Sequence, residues 1–230
     1  MQYNVAAVIP VYNPEPGLEM LCRELLVRFG MVVVIDDGST ENLIAFDSLP
    51  KSVLVLRHNE NKGKGRAIKT SFEWLLANAP GIDVVVFADG DGQHRPCDVE
   101  NVAKRASATA SFVFGVRDFK KSGIPFRSRF GNVLTSWLVR RIFRVDIYDT
   151  QTGLRAVPRR LWSEMIALPG ERYEYEMRAF GLLKRIGERA VLVPIETVYV
   201  ENNRTSHFRP IVDSFRIYRG LFGDIKARGR

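Results

Sequence analysis

The stretch Val84-Val85-Val86-Phe87-Ala88-Asp89-Gly90-Asp91-Gly92-Gln93-His94 constrains this chain more than any other. An apolar run rich in β-branched residues reads as a buried strand, and it stops at two acidic residues spaced i, i+2 among glycines. Two carboxylates at a strand end are costly to bury without partners. The partner that suits them is a hard cation that takes oxygen ligands and keeps some waters, which points to Mg²⁺ or Mn²⁺. Asp and Gly also make ordinary surface turns. Their density directly after an apolar strand favours the functional reading, although the stretch alone names no reaction.

The same arrangement recurs upstream. Residues 3–11 form a predicted first strand, followed by a Tyr12-Asn13-Pro14 loop and a helix from Pro16 on which Leu18, Leu21, Leu25 and Leu26 share a face, with Gly30 as the stop. Met31 to Ile35 is a second strand ending in Asp36-Asp37-Gly38-Ser39-Thr40. In open parallel sheets ligands bind beyond the carboxyl ends of strands, so Asp37 and Asp91 are expected to face one crevice, with Asp37 suited to a ribose hydroxyl or a base edge. Asp36 and Ser39 read as caps of the next helix.

Ser52 to Leu56 is a third strand, and His58 to Ala67 is a basic Gly-rich loop opening a helix that runs through Trp74 to Ala79. Such a loop is a candidate phosphate cradle, but it matches neither a Walker loop nor the full G-x-G-x-x-G pattern. Ile82 to Ala88 is the fourth strand, Pro96 to Ala106 a helix, and Ser111 to Val116 a fifth strand ending at Arg117. Strands alternating with helices predict an α/β fold with a single Rossmann-like, mostly parallel sheet flanked by helices.

Beyond Arg117 the pattern changes. Phe130, Val133, Leu134, Trp137 and Leu138 share a helical face, with Arg127, Arg129, Arg140, Arg141 and Arg144 nearby. Such a helix either packs into the core or lies in a membrane interface. Asp149 to Arg155 leads into a short strand, Tyr173 to Met177 opens a helix, and residues 190–200 form a last strand in which Pro194 marks a sheet edge. The tail carries Ile211, Phe215, Tyr218, Phe222 and Ile225 at helical spacing. The organisation expected is a catalytic domain over 1–200 and an active-site-closing loop with a basic amphipathic tail over 201–230.

Charge follows this division. Residues 117–144 hold eight Lys/Arg against one Asp, and residues 204–230 hold seven against two, whereas the whole chain carries a net +8. Two basic clusters imply an anionic partner or a solvated basic face. Cys22 and Cys97 are the only cysteines, in no metal-like spacing, which fits a reducing cytoplasm without disulfides or zinc. The N-terminus reads as having no leader, and no stretch approaches the ~20 apolar residues of a membrane span.

Five segments in order resemble the inverting family-two glycosyltransferases of the GT-A fold, and within them the polyprenyl-phosphate sugar synthases similar to dolichyl-phosphate mannose synthase. They are Val8-Ile9-Pro10-Val11-Tyr12-Asn13, Ile35-Asp36-Asp37-Gly38-Ser39, Asn61-Lys62-Gly63-Lys64-Gly65, Asp89-Gly90-Asp91-Gly92-Gln93-His94 and Asp149-Thr150-Gln151-Thr152-Gly153-Leu154-Arg155. The resemblance implies that Pro10, Tyr12 and Asp37 line the base and ribose pocket. It makes Asp89 and Asp91 the D-x-D pair, with Asp91 and Gln93 as metal ligands beside the diphosphate. It puts Lys64 near the nucleotide or sugar, Arg117 and Arg129 near phosphates, and the Asn202 to Phe208 segment in a loop that closes the site. Many relatives continue into transmembrane helices, whereas this chain ends after one amphipathic segment, so contact with a membrane surface is expected rather than insertion.

The expected activity is metal-dependent transfer of a sugar from a UDP- or GDP-linked donor to a polyprenyl phosphate at the cytoplasmic membrane face. A polyprenyl phosphate is already anionic, so Arg117, Arg127 or Arg129 has only to position it. The alternative is a soluble glycosyltransferase with a sugar-hydroxyl acceptor in cell-surface polysaccharide synthesis, for which Glu174 or Glu176 would take the proton. A nucleotidyltransferase also needs acidic residues and a metal. Nucleic acid is not an expected partner, because acidic strand ends repel backbone phosphates. His58, His94 and His207 are read as structural, with His94 the nearest to a donor diphosphate by adjacency.

Overall fold

The computed structural model describes residues 4–117, 140–141, 147–150, 152–172 and 174–196. Strands β1 (Val5–Val11), β2 (Met31–Asp36), β3 (Leu54–Arg57), β4 (Val84–Phe87), β5 (Val113–Arg117), β6 (Arg155–Pro158) and β7 (Val191–Ile195) form one sheet in the order β3-β2-β1-β4-β6-β5-β7. Pairing is parallel except at β6, which runs antiparallel to both β4 and β5. The helices are α1 (Leu18–Leu26), α2 (Ile44–Asp47), α3 (Lys64–Asn78), α4 (Pro96–Thr109), α5 (Trp162–Ala167) and α6 (Glu174–Ile186).

The near-continuous apolar sequences of β1, β2 and β4 are explained by burial on both faces. Side chains alternate along each strand, so Ala6, Val8, Val33, Ile35, Val85 and Phe87 enter one core while Ala7, Ile9, Val32, Val34, Val84 and Val86 enter the other. The first core is completed by Phe72 of α3, Trp162 of α5 and Tyr175 and Phe180 of α6. Phe72 meets Phe87 edge-on at 5.3 Å. The second core takes Leu18, Cys22 and Leu25 of α1 and Val99, Val102 and Ala106 of α4. Pro96 occupies the first turn of α4, where its missing N–H costs nothing.

The strands and longer helices agree with the sequence reading in type, most boundaries moving by one to three residues; the short α2 has no counterpart in that reading, and β7 is a five-residue strand within the one expected over 190–200. Pro194 does sit on an edge strand, since β7 ends the sheet. The short strand expected after Asp149 to Arg155 is β6, but its antiparallel direction and the helical segment after it at Arg159–Ala167 are not marked in the chain's apolar spacing. The basic amphipathic helix expected around residues 130–138, the tail beyond residue 200, and with them Arg127, Arg129, His207 and the Asn202 to Phe208 loop lie outside the described residues. Among the described residues, no helix is long and apolar enough to cross a membrane.

Candidate functional site

The order β3-β2-β1-β4 means the chain winds to one side of β1 and then to the other, so the carboxyl ends of β1 and β4 flank a topological switch point. Half-buried Pro10 and Tyr12 lie at the end of β1, Asp37 follows β2, and Asp89, Asp91 and Gln93 follow β4. The loops there are tied to one another. Asn13, at φ 52°, accepts hydrogen bonds from the amides of Thr40 at 2.9 Å and Glu41 at 3.1 Å, and its own amide donates to Ser39 Oγ at 2.9 Å. Asp36 accepts the Ser39 amide at 2.8 Å, so Asp36 and Ser39 brace this loop and do not cap the next helix, α2, which begins at Ile44 with Leu43 as its N-cap.

Asp37 is an organiser of its neighbouring loop. Its Oδ1 accepts the Lys62 amide at 3.0 Å and lies 2.7 Å from His58 Nδ1, while its Oδ2 accepts the Gly63 amide at 2.7 Å and Asn61 Nδ2 at 3.1 Å. A carboxylate offers about four lone-pair sites, and all are taken by the chain's own donors. His58 is held at its other nitrogen by Thr70 Oγ1 at 2.9 Å, which makes the structural reading of this histidine sufficient.

The candidate phosphate cradle therefore needs correction. The amides of Lys62 and Gly63 point at Asp37, and the Arg66 amide in the first turn of α3 donates to the Glu171 carbonyl at 2.9 Å. A helix N-terminus attracts anions through unpaired amides, and here two of the loop amides and one of the helix are already used. The glycines of the loop serve close packing instead. A Cβ on Gly65 would stand 2.6 Å from Tyr175 Cβ and 2.8 Å from the Glu171 carbonyl carbon.

Around the acidic pair the structure gathers residues from four elements. Lys64 Nζ, at the start of α3, lies 2.7 Å from Asp89 Oδ1 and 3.2 Å from Glu176 Oε1 of α6. Arg155 Nη2, at the start of β6, reaches the same Glu176 oxygen at 2.6 Å and the Thr152 carbonyl at 3.0 Å. His94 Nε2 lies 3.4 Å from Asp89 Oδ2. Burial opposes ionisation of Asp89, but Lys64 and then His94 outweigh it and hold the carboxyl well below the usual range. Burial likewise opposes the Lys64 charge, and Asp89 and Glu176 together raise its pKa above that of an ordinary lysine. Asp91 is shifted the other way: burial, then the Asp89 charge, push its carboxyl up, and the Gln93 amide at 3.0 Å, His94 and Lys64 offset this only in part.

These residues fit a divalent cation of a particular kind. Asp89, Asp91 and the Gln93 carboxamide are hard oxygen donors, and the buried His94 Nδ1 has no hydrogen-bond partner among the described residues. Among the described residues, no three His, Cys, Asp or Glu side chains converge as a metal cage. A Mg²⁺- or Mn²⁺-type ion bound by one or two carboxylates and completed by substrate phosphates and water matches that donor set.

Arg117, at the end of β5, is clamped by Asp149. Its Nε and backbone amide donate to Asp149 Oδ2 at 2.8 and 3.0 Å and its Nη2 to Oδ1 at 3.1 Å. Asp149 is fully buried, and this paired geometry orients the guanidinium at the sheet's carboxyl edge. The Asp149 to Arg155 segment stands out in the sequence only as a motif, with no task of its own. It holds Arg117 at one end and Glu176 at the other, with Gly153 against Asp89 between them. Residues so far apart in the chain offer no local signal of their pairing.

The two glutamates weighed as bases have partners. Glu174 Oε1 accepts the amides of Glu171 at 3.2 Å and Arg172 at 3.3 Å, and Glu176 is shared by Lys64 and Arg155.

A family model described as "Glycosyl transferase family 2" matches residues 6–161. The UDP-N-acetylglucosamine--dolichyl-phosphate N-acetylglucosaminyltransferase of Methanococcus voltae is 28% identical over 224 residues, covering 84% of this chain and 85% of that protein. The polyprenol monophosphomannose synthase of Mycolicibacterium smegmatis is 26% identical, covering 82% of this chain and 75% of its own length. Among solved structures, glucosyl-3-phosphoglycerate synthase from Mycobacterium tuberculosis, crystallised with Mn²⁺, UDP and glucosyl-3-phosphoglycerate, superposes with a TM-score of 0.71 at 19% identity, covering 97% of this chain and 79% of that one. That likeness shows the shared GT-A fold.

Proposed function

This chain belongs to glycosyl transferase family 2, and from that premise we propose that it moves a sugar from a UDP- or GDP-linked donor to a polyprenyl phosphate, working peripherally at the cytoplasmic membrane face. The observation that carries the acceptor assignment is the engagement of Glu174 and Glu176. Glu174, the first residue of α6, is turned back onto the Glu171 and Arg172 amides of the preceding loop, and Glu176 is paired with two cations, so neither is disposed to take a proton from a sugar hydroxyl. A phosphate acceptor is anionic at neutral pH and needs no base. The relatives named for dolichyl and polyprenol phosphates support the same acceptor class.

In the reaction, positive charge develops on the sugar and negative charge on the departing diphosphate. Lys64 and Arg117 place fixed positive charge at the carboxyl edge of the sheet, where a diphosphate and an anionic acceptor are best stabilised. Asp91, with Asp89 and Gln93, would hold a divalent cation, whose chemistry there is neutralisation of the leaving charge. Pro10 and Tyr12 line the base side of the crevice, and the loop organised by Asp37 borders it. Arg129 is the second candidate for the acceptor phosphate.

The test incubates the protein and Mg²⁺ or Mn²⁺ with radiolabelled UDP-glucose, UDP-galactose, UDP-N-acetylglucosamine or GDP-mannose, with and without a polyprenyl phosphate. Metal-dependent label in the organic phase identifies both donor and acceptor class. Nucleotide release without lipid labelling would refute the lipid acceptor and favour a soluble glycan acceptor.

A further inference from the structure

The acidic pair stands at the end of a row of alternating charges, Asp89, Lys64, Glu176 and Arg155, at successive separations of 2.7, 3.2 and 2.6 Å. The far end of the row is fixed. Arg155 is 3% exposed, donates to the Thr152 carbonyl at 3.0 Å and lies 5.9 Å from the Phe114 ring centroid. Glu176 is thereby anchored, and it holds the Lys64 ammonium from the side away from Asp89. Lys64 sits on the first turn of α3, whose backbone is tied to the Glu171 carbonyl, while its ammonium rides on a flexible four-carbon stem. Counting Asp91, three carboxylates face two permanent cations in this cluster, with His94 on the second oxygen of Asp89 at 3.4 Å. The carboxylate left over is Asp91, and the one already neutralised by the chain itself is Asp89.

We propose that Lys64 is an internal counter-ion that occupies Asp89 in the nucleotide-free protein and thereby couples divalent-cation binding to nucleotide binding. The proposal rests on the nucleotide-sugar reading above. With Lys64 on Asp89, a divalent cation meets one unpaired carboxylate and a positive neighbour, so its affinity without nucleotide is weak. A nucleoside diphosphate supplies a second anionic partner for the ammonium. Lys64, still held locally by Glu176, then turns from Asp89 to a diphosphate oxygen, and Asp89 Oδ1 joins Asp91 as a ligand open to the cation, with Asp89 Oδ2 still facing His94. Coupling of this kind is reciprocal: the cation tightens the nucleotide by the same factor.

The experiment measures Mn²⁺ binding to the full chain by the electron paramagnetic resonance of free Mn²⁺, without nucleotide and with UDP or GDP. The variants are Lys64→Met, Lys64→Gln and Lys62→Met. Lys62 has an exposed side chain two positions away, so its loss makes the same change in net charge without touching Asp89. Both Lys64 variants are expected to bind nucleotide-free Mn²⁺ about tenfold more tightly than the wild type, and to lose about tenfold of the tightening that nucleotide brings. Lys62→Met is expected to stay within about twofold of the wild type, as screening predicts for an exposed charge. Unchanged or weaker nucleotide-free Mn²⁺ binding by both Lys64 variants would overturn the counter-ion role, as would an equal shift in Lys62→Met. If neither UDP nor GDP tightens Mn²⁺ on the wild type, the nucleotide-sugar reading falls with it. If they tighten the wild type and the Lys64 variants equally, only the counter-ion role falls.

Discussion

Gly153 lies against Asp89 so closely that a Cβ placed on it would stand 1.9 Å from the Asp89 carboxylate. No real side chain tolerates that approach, so any residue but glycine must displace the Asp89 carboxylate from its observed position. Displacement of a catalytic group by about 1 Å can cost on the order of 100-fold in rate. Gly153→Ala is therefore expected to lower sugar transfer by about that factor while the melting temperature moves by only a few degrees. Transfer assays beside a thermal melt decide it, and wild-type turnover would show that Asp89 does not need its observed position.

Asp91→Asn keeps size and shape but removes the carboxylate that burial and Asp89 leave least compensated. Metal-dependent transfer is expected to vanish while the circular dichroism spectrum and melt stay like those of the wild type. Normal turnover by this variant would sink the assignment of Asp91 to the cation.

Asp37 carries four donors, two of them backbone amides, so Asp37→Ala strands one buried and three partly buried polar groups at once. The expected loss is about 3 kcal/mol of unfolding free energy in urea, because each stranded buried donor costs roughly 1–3 kcal/mol. A loss below about 1 kcal/mol would mean that the loop over residues 58–63 does not depend on this carboxylate.

Glu174→Ala separates the two acceptor readings. As an acceptor for two loop amides, Glu174 is expected to cost about 1 kcal/mol of stability when removed, with transfer preserved within about threefold of the wild type. A general base would show itself by a fall of roughly 100-fold or more in turnover with stability hardly changed.

Cys22 is fully buried in α1, and burial pushes its thiol up from 9.0 to about 12. In the native protein at about pH 8, iodoacetamide should leave Cys22 unmodified, because only thiolate reacts and access is closed. In urea it should be alkylated, as mass spectrometry of the peptide would report. Because the folded pKa is the higher one, the stability associated with this thiol is present below pH 9.0 and is lost as pH rises toward 12. Native-state labelling of Cys22 at the unfolded rate would contradict the packing of α1 on the sheet.

The boundary between local and tertiary information is visible in particular residues. Apolar runs such as Val84 to Phe87 specify strands because burial on both faces removes the need for alternation, and the ends of β1, β2 and β4 are marked by the abrupt change to Asp, Asn and Gly. The mostly parallel sheet, the placing of Tyr12, Asp37, Asp89 and Asp91 at strand ends, and the family resemblance follow from such local patterns. What folding alone decided is who neutralises whom. Asp37 turned inward onto His58, Asn61, Lys62 and Gly63, which converted a basic Gly-rich loop from a phosphate cradle into a structural clasp. Glu176 met Arg155 and Lys64, and Arg117 met Asp149, across gaps of 21 to 112 residues. Charge pairing depends on distances of a few ångströms, and the chain's order carries those distances only after the sheet has brought its strand ends together.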